Sequence, residues 1–96
     1  LKEAEVTLHY LNNVAGKNFE FRNPRGELTP NAVTIINRLK EGYTGVELRE
    51  GVMDKVEKWK GDDKMDEYLR PQTLFGKQKF AQYVGELGRV PDDDGR

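Results

Sequence analysis

Apolar residues recur at helical spacing in four separate stretches of this chain, and that repetition points to a bundle of amphipathic helices. Ala4, Leu8, Leu11 and Ala15 advance by four, three and four positions, with Gly16 next as a left-handed cap, so a first helix is expected over roughly Lys2 to Ala15. Thr29 as cap and Pro30 in the first turn open a second, which carries Ala32, Ile35, Ile36 and Leu39 on one face and ends at Gly42. Thr44 and Glu47 have the spacing of a capping box, and Tyr43 and Leu48 that of a hydrophobic staple. The third helix aligns Leu48, Val52, Val56 and Trp59 and stops near Gly61. Gly51 lies inside it, where glycine costs about 0.5–1 kcal/mol, and is expected to mark close approach of a neighbouring helix.

Between the first two helices the period lapses. Residues 17–30 contain Asn23-Pro24-Arg25-Gly26 and alternate only briefly at Phe19 and Phe21, so they read as a loop or short extended segment that pins two phenylalanines to the core. After Gly61, Asp62 and Asp63 cap a short helix carrying Met65, Tyr68 and Leu69, which must end at Arg70 because Pro71 disfavours helical geometry before it. A turn follows, and a last helix begins near Lys77, places Phe80, Val84 and Leu87 on one face and closes at Gly88. The expected fold is all-α: a small compact bundle of four to five helices forming a single domain over residues 1–88, with a flexible acidic tail at 89–96.

Composition narrows the chemistry. A chain of 96 residues has room for one core. It has no cysteine, and His9 is its single histidine, so neither a disulfide framework nor a thiolate or histidine zinc site is expected, and no cofactor. No apolar run approaches the roughly 20 residues that cross a bilayer, and no charged-then-apolar leader opens the chain. Starting on Leu1 and ending on the acidic run from Pro91 to Arg96, the sequence reads as a region cut from a longer protein. The formal charge of −1 gives no strong overall attraction to phosphate polymers, so a nucleic-acid contact would need a local patch.

Residues suited to catalysis are scarce: no paired nucleophile and base, no Gly-rich phosphate loop and no metal-ligand spacing is present, and the chain is not expected to be an enzyme. Asp62, Asp63, Asp66 and Glu67 cluster at one helix start, where acids complement the helix dipole without further role. His9 reads as an ordinary boundary residue. The candidate binding residues are Lys55, Lys58, Trp59 and Lys60 at the end of the third helix and Arg70, Lys77 and Lys79 around the loop containing Phe75. Cations beside an aromatic ring can hold single-stranded nucleic acid by stacking and phosphate contact. Equally, Trp59 continues an apolar stripe, and the lysines can serve the helix C-terminus and pair with Asp54.

The run Tyr68-Leu69-Arg70-Pro71-Gln72-Thr73-Leu74-Phe75-Gly76, followed by Lys79-Phe80 and Tyr83, resembles the conserved C-terminal domain of phage replication proteins of the replisome-organiser class. Leu11-Asn12, Gly16-Lys17-Asn18-Phe19, the run from Arg38 to Thr44, and Lys55 with Trp59 extend the likeness over Leu8 to Val84. Gly45, Gly51 and the Asn23 to Pro30 loop depart from that pattern. The domain is also distantly similar to the C-terminal domains of DnaD-like primosomal proteins. The resemblance implies an accessory domain of a replication initiator acting in the cytoplasm of a bacterial host. Its partner would be the replicative helicase or helicase loader, docked on an apolar groove between helices, or DNA held through a local basic patch. A structural or oligomerisation domain is the third reading. Neither a membrane nor a small-molecule substrate is expected.

Overall fold

The computed structural model describes residues 2–86. They form four longer helices, α1 (Lys2–Ala15), α2 (Pro30–Lys40), α3 (Gly45–Trp59) and α6 (Lys77–Glu86), and two single-turn helices, α4 (Asp63–Asp66) and α5 (Pro71–Leu74). Among the described residues there is no strand; one antiparallel bridge, Arg22 with Leu28, is all that the expected extended segment forms. Leu87, Gly88 and the acidic segment 89–96 lie outside the described residues, as does the side chain of Val84.

Local signals set the helix ends. The hydroxyl of Thr29 accepts the Ala32 N–H at 3.2 Å with Pro30 at the first helical position. Thr44 accepts the Glu47 N–H at 3.1 Å while the Glu47 carboxylate accepts the Thr44 N–H at 2.8 Å, completing the capping box. Gly42 and Gly61 close α2 and α3 at φ of 105° and 92°, conformations that a Cβ would strain. The fourth helix is shorter than the sequence suggests: Asp62 caps it, but it ends at Asp66, leaving Tyr68 and Leu69 in the following turn. Pro71 has two effects. It bars helix before it and then occupies the first position of α5, so the segment expected as a plain turn holds one helical turn of its own.

α1 packs against α2 and α3, α6 packs on α3, and α5 bridges α2 and α6. The stripe Ala4, Leu8, Leu11 and Ala15 is buried entirely and meets Ala32 and Ile35 of α2 and Leu48, Val52 and Val56 of α3. Leu69, Leu74, Phe75 and Phe80 seal the other end. Phe75 and Phe80 have ring centroids 5.8 Å apart, and Tyr43 meets Phe80 edge-on at 4.8 Å. Gly51 is buried, and a Cβ there would meet the Phe80 ring at 3.4 Å, which is the expected close approach of a neighbouring helix.

The loop after α1 is held by Asn12. Its amide donates to the Phe19 carbonyl at 2.9 Å and its carbonyl accepts the Phe19 N–H at 2.8 Å. This two-point clamp fixes the loop so that Phe21 is buried and Phe19 packs against the core. Further along, the Lys17 ammonium pairs with Asp66 at 2.9 Å, tying the same loop to α4.

Candidate functional site

Two surface grooves stand out among the described residues. The first runs between α1 and α3 and has a volume of about 790 Å³. Val6, 42% exposed, and Tyr10 contribute from α1; Val46, 56% exposed, and Met53, 38% exposed, contribute from α3. His9, Asn13, Arg49 and Glu50 complete its lining. Arg49 donates to the Glu3 carboxylate at 3.1 Å and to the buried Thr7 hydroxyl at 3.4 Å, so the two helices are fastened beside the apolar surface. Glu3's carboxylate lies over Gly45, in the space a side chain would take.

No member of this groove stood among the candidate binding residues. The signal was nevertheless present: Val6 and Tyr10 are spaced i, i+4, and Val46 and Met53 i, i+7, each pair lying off the core stripe of its helix.

The second groove, of about 470 Å³, is framed by Trp59 at the end of α3, Met65 and Tyr68 around α4, Gln72 and Thr73 of α5, and Lys79 and Tyr83 of α6. Trp59 and Tyr83 are edge-to-face with centroids 6.1 Å apart. The Arg70 guanidinium lies 5.7 Å from the Tyr68 ring centroid and its Nε donates to the Thr73 hydroxyl at 3.0 Å.

The basic residues singled out from sequence are divided by the fold. Lys79 and Trp59 line the second groove, and Arg70 reaches its Tyr68 and Thr73. Lys55 does not reach the surface: it is 4% exposed, with its ammonium 4.1 Å from the Tyr83 centroid, 5.4 Å from that of Trp59 and 3.6 Å from the Asp54 carboxylate. Its aliphatic stem fills space between α3 and α6, which is why it is drawn inward. Lys58 is paired with Asp54 at 3.2 Å, the i, i+4 pairing expected for a helix end. Lys60 turns towards α1, donating to the Val14 carbonyl at 3.0 Å, where a cation complements a helix C-terminus. Lys77 is exposed at the start of α6.

The acidic cluster has structural work. Asp62 accepts the N–H groups of Lys64 and Met65, and Asp66 holds Lys17. Among the described residues no group of three or more His, Asp or Glu side chains is placed to hold a metal ion. No helix of the described residues is long and apolar enough to cross a membrane.

The family model of the conserved phage C-terminus matches residues 7–85. The chain belongs to the conserved phage C-terminus family. That match runs from within α1 to within α6, so both grooves are built almost wholly from the part of the chain shared with the conserved phage C-terminus family. The likeness carried by Tyr68 to Gly76 is therefore that of a phage C-terminal domain. No curated protein and no solved structure matches the chain.

Proposed function

We propose that this phage domain is a non-enzymatic accessory module of a replication-initiation protein, and that it acts in primosome assembly by docking the replicative helicase or its loader on the α1/α3 groove. The observation that carries this reading is the joint exposure of Val6, Val46 and Met53 around one groove. Single exposed aliphatic residues are ordinary, but a contiguous set with polar residues at its margin is the usual signature of a protein contact. A groove between two helices suits the apolar face of a partner helix, anchored at i, i+4 and i+7. Arg49 and Glu50 at the margin carry opposite charges, which suits a mixed-charge protein surface better than a polyanion.

Titration of the domain against purified host helicase and purified loader tests the proposal. One of the two should bind, with weak dependence on salt, and Val46→Asp or Met53→Asp should weaken that binding about tenfold or more without moving the thermal melt. Absence of binding to both proteins, or binding indifferent to these substitutions, would overturn it. The bacterial cytoplasm is the compartment in which such an encounter takes place.

A further inference from the structure

We infer that the groove floored by Trp59, Met65 and Tyr68 is a separate docking site for an acidic, extended peptide segment of a partner protein. One large apolar side chain of that segment rests on the floor, and its neighbouring carboxylates meet Arg70 and Lys79. Met65 and Trp59 are half-buried and Tyr68 is 37% exposed, so the floor is apolar yet open to solvent. A thioether beside aromatic rings adapts to apolar side chains of different shape. Tyr83 is buried, its ring covered by Trp59 and Lys55, so it supports this floor and opens no slot between rings. A ligand therefore lies on the groove, as one side chain of an extended peptide does.

Charge selects the partner. Elsewhere on the fold, surface cations are matched within the chain: Lys17 by Asp66, Arg49 by Glu3 and Lys58 by Asp54. Arg70 and Lys79 are exposed at this groove, and neither forms an ion pair among the described residues. The Nε of Arg70 is held by Thr73, which fixes the guanidinium beside Tyr68 and leaves its two terminal nitrogens as a fork for a carboxylate. Asp62, Asp63 and Glu67, exposed on and beside α4, repel a long polyanion crossing the groove. A peptide whose acids stand on one side of its apolar anchor meets Arg70 and Lys79 and avoids them. Gln72 and Thr73 line the same groove with an amide and a hydroxyl, which can hydrogen-bond peptide N–H and C=O groups. Two cations and a small floor make a weak site, with Kd on the order of 10⁻⁴ M.

Trp59 is the only tryptophan of the chain, so its emission reports on this groove directly. The test titrates the full chain at low salt with end-blocked peptides, labelled for anisotropy and unlabelled for Trp59 emission. The probes are Glu-Asp-Glu-Asp-Leu-Phe in both chain directions, the same peptides with Ala-Ala in place of Leu-Phe, and Lys-Lys-Lys-Lys-Leu-Phe. The acidic Leu-Phe peptide should move both signals together in at least one direction, and loss of Leu-Phe or reversal of charge should each weaken binding about tenfold. Arg70→Gln and Lys79→Gln should each weaken it about two- to fivefold, and Tyr68→Ala about fivefold, with unchanged circular dichroism melts. No binding of the acidic peptide in either direction, equal binding of the lysine peptide, or binding indifferent to both Lys79→Gln and Tyr68→Ala would overturn the inference. Three other occupants would also overturn it. Nucleic acid would show as oligothymidylate displacing the labelled peptide at a lower concentration than unlabelled peptide does. A second copy would show as a Trp59 signal that shifts on dilution without peptide. This chain's own acidic end would show as tighter peptide binding when Asp92→Asn, Asp93→Asn and Asp94→Asn are combined. The site shares no lining residue with the α1/α3 groove, so failure here and failure of helicase or loader docking are read separately.

Discussion

The ammonium of Lys55 lies 4.1 Å from the centre of the Tyr83 ring, which makes a buried cation part of the seam between α3 and α6. Removing a charge from water is costly, and contact with two rings and the Asp54 carboxylate offsets that cost. The charge and the stem can be separated by substitution. Lys55→Met keeps most of the stem and should stay within about 1 kcal/mol of wild type, because lost attraction and recovered desolvation oppose each other. Lys55→Ala removes the packing as well and should cost about 2–3 kcal/mol, both measured by urea unfolding.

Asn12 offers a second test. Its clamp satisfies both the N–H and the carbonyl of Phe19, so Asn12→Ala should destabilise the domain by about 1–3 kcal/mol and speed hydrogen exchange in the 17–30 loop. Asn12→Asp retains an acceptor for the N–H but has no donor for the carbonyl at neutral pH, and should rescue less than half of that loss.

Glycine substitutions should differ in sign. A Cβ at Gly76 would stand 2.9 Å from the Gln72 carbonyl oxygen, a backbone atom held by the α5 to α6 corner, so Gly76→Ala should cost about 1–3 kcal/mol. At Gly51 the added methyl meets the Phe80 ring at 3.4 Å, an ordinary contact, while a helix interior gains about 0.8–1 kcal/mol from alanine. Gly51→Ala should therefore be neutral or stabilising, visible as an unchanged or higher melting temperature.

Thr44→Ala removes the acceptor for the Glu47 N–H and should lower stability by about 1 kcal/mol. Thr44→Ser keeps the hydroxyl and should recover most of it in the same denaturation series.

Trp59→Ala should cost about 1–3 kcal/mol, because the half-buried indole packs against the core and meets Tyr83 edge-on. A melt unmoved by this substitution would show that the indole contributes nothing to the α3 and α6 seam.

Much of this architecture is readable in the sequence because the determining signals are local. The α1 stripe from Ala4 to Ala15 and the Thr44 to Glu47 box depend only on spacing within one helix, and both appear as expected. Arg38 and Lys55 are harder: each has a long apolar stem whose burial depends on what packs over it from α5 and α6, and no local rule supplies that. Pro71 reads as a stop, whereas its role as the start of α5 emerges only with Leu74 and Phe75 in the core. For the site, Trp59, Arg70 and Lys79 share a groove although 20 residues part the first from the last. Lys58 and Lys60, sequence neighbours of Trp59, are drawn instead to Asp54 and to the Val14 carbonyl, because successive helical positions point in different directions.

Arg38 of α2, 6% exposed, donates to the Phe75 carbonyl at 3.4 Å and pairs with Glu41 at 3.1 Å. Such a bond spans 37 positions, so it can close only after α5 has been made. While the ribosome is still making the segment beyond α3, the guanidinium and the apolar ends of α2 and α3 have nothing over them, and they are enclosed only when Phe75 and Phe80 emerge. A nascent chain arrested before that point should be open to protease, and one extended past α6 should resist it.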